Sequence, residues 1–279
     1  MTGKILSSQL DNPPLSVWLR GLALIGTLAL LAAGLGLFFA PAVARPLWPW
    51  QIGPFSGFFW GAVCLSALSA MALVLYYARW WPARLVLPMM VVFSASVLIV
   101  SLLNIQRFDF GRWSTWIWFG LHLALPIITG EYLRRHRDQP PPAAYPTPEA
   151  WRRLLQVLAL VLGVYGMGLF LVPALFGAFW PWPVDSFSGQ LYSVVFTTTA
   201  IGAIGLCQWA APVERLALGV SYAVLGLFTL FSVIIGDATR TLVNWGDPGV
   251  WVWMGLFAAL FLVGLALIWW SSSQMLGGT

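Results

Sequence analysis

Residues 34–57 read GLGLFFAPAVARPLWPWQIGPFSG and residues 166–189 read GMGLFLVPALFGAFWPWPVDSFSG; the two align without a gap and agree at 12 of 24 positions. The identities include Trp48-Pro49-Trp50 with Trp180-Pro181-Trp182 and Phe55-Ser56-Gly57 with Phe187-Ser188-Gly189. A shared register through so many Gly, Pro and Trp positions reads as a duplication. Farther along, Arg84-Leu85 answers Arg215-Leu216, and Trp116-Ile-Trp-Phe-Gly-Leu121 answers Trp251-Val-Trp-Met-Gly-Leu256, so the similarity runs through both halves.

The solvent of this chain is lipid. Of its 279 residues 60% are apolar or aromatic and 8% are charged, against about a quarter charged in an ordinary soluble domain. Eight apolar stretches, at 19–40, 57–78, 85–105, 113–133, 153–173, 190–210, 215–236 and 249–270, each match the ~20 residues that cross a hydrocarbon core as a helix. In lipid the backbone must satisfy its own hydrogen bonds, and the alternation a β-barrel needs is absent. The expectation is an all-α integral membrane protein of eight transmembrane helices in two parallel four-helix repeats (4+4): residues 1–133, a basic, Pro-rich linker at 134–152, and residues 153–279. An even number of spans gives both copies one orientation, related by a pseudo-two-fold axis along the membrane normal.

Orientation follows from the cations. Lys4 and nine arginines (20, 79, 84, 134, 135, 137, 152, 153 and 215) fall on one side, and Arg45, Arg107, Arg112 and Arg240 on the other. Positive charge stays in the cytoplasm, so both termini are expected there. The run Gln139-Pro-Pro-Pro-Ala-Ala-Tyr-Pro-Thr-Pro148 predicts an extended linker. Ala40-Pro-Ala-Val-Ala44 imitates a signal-peptidase site, but the span before it is full length and its copy lies mid-chain, so the first helix is expected to be retained.

Net charge is +5, yet the cations are spread between spans, which argues for topology signals and against nucleic acid. The expected partners are the bilayer and a further membrane subunit or a second copy of the chain. Cys64 and Cys207 lie in apolar spans without a paired spacing, as structural thiols do. No GxxxxGK[ST], HExxH, GxSxG or GxGxxG pattern occurs, and Lys4 is the single lysine, which removes a Schiff base within the bundle. Catalysis is therefore not the favoured reading.

Trp is the over-used residue, with 18 copies. Ten of these, including Trp48, Trp50, Trp180 and Trp182, fall at the external boundary, where an aromatic belt is the favoured reading; the sharper alternative is a repeated Trp-Pro-Trp cap over a ligand. Thr197-Thr198-Thr199 is a polar cluster that either meets a substrate or bonds back to its own helix. His122 is the in-span histidine, a place for a haem or pigment in an accessory subunit, but Phe257 stands at the matching position and no second histidine joins it. A bond from His122 to a neighbouring helix is the plainer expectation. Glu131 with Arg134 and Arg135, and Asp237 with Arg240, are expected as ion pairs. Small residues at Ala62, Ser66, Ala70, Ser94, Ser101, Gly163, Gly166, Gly168, Gly255 and Ala259 are expected at helix contacts.

The segments WPWQIGPFSGFFWGA at 48–62 and WPWPVDSFSGQLYS at 180–193 resemble a group of uncharacterised bacterial multi-pass proteins whose external loops read like WPWxLTPLTAR. Phe58 or Gln190 stands where that pattern has Arg. The resemblance covers about 15 residues per half; it implies a bacterial membrane protein and carries no activity. The function expected from the sequence is binding or passing an apolar or weakly polar small molecule between the two repeats; the alternative is the accessory subunit that uses His122.

Overall fold

A computed structural model describes residues 12–276, apart from the side chains of Arg240 and Leu276; Lys4 lies outside the described residues. Within them the protein is helical, without strands, and eight long helices dominate: α1 Val17–Phe39, α2 Pro54–Tyr77, α3 Trp80–Leu103, α4 Trp113–Arg135, α5 Glu149–Leu171, α6 Ser186–Gly205, α7 Pro212–Arg240 and α8 Pro248–Leu276. Six of them, all but α4 and α6, are long and apolar enough to cross a membrane. The other two are long enough, at 23 and 20 residues, but Trp, His and Pro in α4 and Ser, Thr and Gln in α6 lower their mean hydropathy.

Local chemistry sets the helix ends. Ser16 accepts from the Leu19 N–H at the start of α1, and Asp185 accepts from the Ser188 N–H at the start of α6, each filling one orphan donor of a first turn. Proline stands at the first position of α2, α7 and α8, where its missing N–H costs nothing. Helix α2 stops at Ala78 in the left-handed conformation, with φ 48°. Helix α6 runs 186–205, not 190–210, because Asp185 caps it early and the chain turns at Leu206–Cys207.

The connections gather at two ends. At a Trp-rich end the Asp109 N–H donates to Pro49 O at 3.0 Å, and Arg107 lies 3.3 Å from Asp185. At a basic end the Leu15 N–H donates to Ala78 O and the Trp80 N–H to Pro13 O, both at 2.9 Å. Two further bonds there, Thr147 N–H to Gln208 O at 3.1 Å and Ala210 N–H to Tyr145 O at 2.9 Å, repeat that pattern 130 to 132 residues later. The Pro-rich run is thus turned and tied down: the Tyr145 N–H donates to Pro142 O, and the stretch ends docked on the α6–α7 turn.

The helices interlock. Each outer helix lies on one inner helix, α1 on α2, α4 on α3, α5 on α6 and α8 on α7, while α2 packs on α7 and α3 on α6. The sequence neighbours α2 and α3 meet sparingly, as do α6 and α7. One hydrophobic core therefore spans residues 37 to 270. The inner helices α2 and α6 are the most enclosed, while the outer helices α1, α4 and α8 bury few residues and leave apolar side chains such as Trp18, Ile25, Val252 and Trp269 exposed. Small residues admit the close approaches: a Cβ on Gly264 of α8 would lie 2.4 Å from Ala223 N of α7, and one on Gly166 of α5 would meet Thr197 of α6. Gly255, expected at such a contact, has nothing within 4 Å.

Candidate functional site

After α1 the backbone makes a four-residue helix, Pro41–Ala44, a 3₁₀ turn, Arg45–Leu47, and then the extended Trp48; after α5 it makes Pro173–Phe176, Gly177–Phe179 and the extended Trp180. Pro41 and Pro173 start these turns, where fixed φ suits a helix's first position. Each Trp-Pro-Trp then turns its rings inward and meets a third indole from the third long helix after it, α4 or α8. Trp48, Trp50 and Trp118 lie with centroids 5.4, 5.7 and 5.1 Å apart. Trp180, Trp182 and Trp253 lie 5.1, 5.3 and 5.4 Å apart.

The two triads reach across to each other's half. Trp50 meets Phe187 edge-on at 5.4 Å, and Trp182 stacks on Phe55 at 5.2 Å, so each Phe-Ser-Gly motif supplies the ring that the other half's second tryptophan covers. Edge-to-face and offset arrangements are the favoured ones for these rings. Trp50, Trp180, Trp182 and Trp253 are buried, and Trp48 and Trp118 half-buried. The aromatic belt reading therefore fails for these six, although Trp113, Trp116, Trp245 and Trp251 at the same end are exposed as a belt requires. Helix geometry sorts Trp116 from Trp118 and Trp251 from Trp253: two residues subtend about 200°, so one ring points out and the next in.

Of the threonine cluster, Thr197 Oγ1 donates to Ser193 O at 2.9 Å and Thr199 Oγ1 to Val195 O at 2.7 Å, each back-bonded within α6. Thr198 Oγ1 is buried without a partner. Its counterpart by register is Ser66, whose hydroxyl lies 2.8 Å from Ser221 Oγ and donates to Ser221 O across the α2–α7 contact. His122 Nδ1 lies 2.8 Å from Trp118 O, one turn back on its own helix, not on a neighbouring one. Its ring is buried 4.2 Å from Trp118 and 6.3 Å from Phe93. These groups are not brought together into one site, and no cluster of three His, Cys, Asp or Glu side chains exists among the described residues.

A cleft of about 550 Å³ opens at the Trp-rich end on the far side of the loop that Trp48 and Trp50 anchor. Pro41, Ala42, Pro46, Ile52 and Gly53 give it apolar walls, and Arg45, Gln51 and Arg112 give it polar ones. Arg112 fixes the loop by donating to Pro46 O at 3.1 Å, Trp48 O at 2.8 Å and Asp109 Oδ2 at 2.9 Å. Sequence reasoning had placed Arg45 and Arg112 only as topology charges; the signal that distinguishes Arg45 is Gly177 at the matching position of the second half.

At the basic end Glu214, without exposed surface, takes two Arg84 contacts, Nε at 2.8 Å and Nη2 at 2.7 Å, and accepts from the Ala211 N–H at 2.9 Å. Arg215, also fully buried, bonds Gln274 at 2.5 Å and lies 4.0 Å over the Trp270 ring. Glu131 pairs with Arg134 and Arg135, both at 2.7 Å, as expected. Asp237 closes the end of α7, accepting from the Val243 N–H and Trp245 Nε1; the side chain of its expected partner, Arg240, lies outside the described residues.

Six apolar helices of membrane-crossing length place the chain in the class of multi-pass helical membrane proteins. No family model matches the chain, and no curated protein or solved structure is similar to it.

Proposed function

We propose that the chain is an eight-span protein of a bacterial cytoplasmic membrane, with both termini in the cytoplasm and two parallel four-helix repeats, which binds or passes an apolar or weakly polar small molecule. Helices α4 and α6 support the count of eight. Helix α4 begins at the Trp-rich end, where Thr115 donates to Pro49 O, and finishes at the basic end, where His136 stacks on Trp80; α6 likewise runs from Phe187 to Leu206, whose carbonyl accepts from Thr147. Each therefore travels the same depth as neighbours that meet the apolar criterion. The repeated path through 41–50 and 173–182 supports the duplication.

The cleft beside the first Trp-Pro-Trp carries the binding reading. Its volume falls in the ~300–1,000 Å³ range of small-molecule sites, and at this end the two indole triads pack between the halves. In this reading Trp48 and Trp50 act by holding the loop whose opposite side meets the ligand. Mass spectrometry of small molecules that stay with protein purified in mild detergent tests it. A retained species lost on Ala42→Trp, which fills the cleft, is expected; retention unchanged by that substitution removes the site.

The accessory-subunit reading has one observation in its favour. The bond that His122 Nδ1 would donate to Trp118 O is the backbone contact that a metal-ligating imidazole commonly makes through its other nitrogen. Against it, Trp118 covers the imidazole at 4.2 Å, so a flat macrocycle would have to displace that indole. An absorbance band between 350 and 700 nm that disappears in His122→Ala would restore this reading; a colourless protein leaves His122 a packing residue.

A further inference from the structure

We infer that the cleft at the Trp-rich end takes an anionic group, a phosphate or carboxylate, on Arg45. The inference rests on the cleft being the ligand site. Among the described arginine side chains at that end, Arg107 has Asp185 at 3.3 Å and Arg112 has Asp109 at 2.9 Å, but Arg45 has no carboxylate within ion-pair distance. Its Nε donates to Ile52 O at 2.9 Å. Its stem lies along α2 at Gly57, where a Cβ would come within 3.5 Å of Arg45 Cδ. The side chain is thus seated at its stem and at Nε, while no described group accepts from its two terminal nitrogens. Arg45 lines the cleft together with Arg112 and Gln51, and no carboxylate residue lines it.

A fixed guanidinium with two free donors matches the paired oxygens of a phosphate or carboxylate, and Arg favours such groups because its planar fork meets both at once. The side of the bundle sharpens the point. On the face that carries few cations, evolution has no topological use for an arginine, and among the described arginine side chains there Arg45 is the one without a carboxylate partner. Pro41, Ala42, Pro46 and Ile52 would cover the first carbons attached to that head group. Since Gly177 replaces Arg45 in the second half, there is one such site per chain.

The shared chemistry is the phosphate monoanion or diester, whether from an anionic phospholipid or from a soluble organic phosphate. The probes are phosphatidylglycerol, phosphatidylcholine, glycerol phosphate and inorganic phosphate, added to the delipidated full-length protein and counted as adducts by native mass spectrometry. Wild-type protein is expected to hold phosphatidylglycerol about tenfold more than phosphatidylcholine, the ratio that one charge-assisted hydrogen bond supports. Arg45→Gln abolishes the preference. Because that change also removes the bond to Ile52 O, Gln51→Glu serves as the second variant: it leaves that bond intact, places a carboxylate in the cleft, and should abolish the preference with an unchanged melting temperature. Displacement of the lipid by glycerol phosphate or phosphate assigns the site to a soluble anion, and persistence of the lipid assigns it to a head group; either outcome supports an anion site. Equal retention of the two lipids by wild type, or a preference that survives Gln51→Glu, overturns it. A neutral molecule lost on Ala42→Trp but kept by Arg45→Gln overturns the charge assignment alone, whereas a cleft that retains nothing overturns the binding reading as well.

Discussion

At the basic end Glu214 has no exposed surface, and the charges that justify it come from both halves: Arg84 from α3 and, next to it in sequence, Arg215 from α7. Buried pairs stabilise little against an apolar replacement of the whole pair, but removing one member strands the other. Glu214→Ala should therefore cost about 3–5 kcal/mol, read as a lowered melting temperature in detergent, and Arg84→Ala combined with it should cost less than the two changes summed. Strict additivity would mean that the pair is not coupled. Trp50→Ala empties a buried site and should cost about 3–5 kcal/mol, while Trp116→Ala at the same end, 64% exposed, should leave the melting temperature nearly unchanged. At this scale the sequence showed which residues were unusual and not which way they faced. It marked Trp48, Trp50, Trp180 and Trp182, but nothing in a Trp-Pro-Trp string distinguishes a ring turned toward lipid from one turned toward the opposite half. Glu214 went unnoticed because Ala83 stands at its repeat position; its signature was the Pro212-Val-Glu214 start of a helix, whose third residue reaches back to the Ala211 N–H.

Helices in lipid gain from contact only what packing and hydrogen bonding provide, so the elements depend on close approach. Gly264 sits where α8 crosses Gly219 and Ala223 of α7, and its Cβ would clash with backbone, which cannot rotate away as a side chain can. Gly264→Ala should destabilise by about 1–3 kcal/mol, the usual range for overpacking. Gly255→Ala on the same helix, facing open space, is the control and should be neutral or slightly stabilising through helix propensity. Equal melting temperatures for the two variants would show that α7 and α8 do not meet at Gly264. The existence of all eight helices was legible from apolar length, and α4 was placed to within two residues. The small-residue faces were legible in α2 and α3, where Ala62, Ser66, Ser94 and Ser101 are buried. They were misplaced in α8, since a run holding both Gly255 and Gly264 does not say which of them meets a partner.

For the whole molecule the consequence lies in which helices touch. The matching stretches at 34–57 and 166–189 suggest two modules joined by a linker, but an inner helix of each half finds its main inner partner in the other half, α2 on α7 and α3 on α6, and each Trp triad is closed by the other half's Phe55 or Phe187. That crossing was invisible in the sequence, because a repeat reports what each copy is and not whether it closes on itself. Expressed alone, residues 1–138 would insert but present the faces of α2 and α3 that belong against α7 and α6. We expect that fragment to be degraded or aggregated, and 139–279 likewise, whereas co-expression of the two from separate genes should recover a complex that co-purifies. The break severs only the turn that the Gln139 N–H closes on His136 O, so it removes no helix and leaves the Thr147 bond to Gln208 O on one fragment. Two fragments that each purify as stable monomers would mean that the halves close on themselves and that the crossing contacts are secondary. Recovery only on co-expression would mean that the cross-half contacts, through α2–α7, α3–α6 and the paired indoles, are what make the two halves one protein.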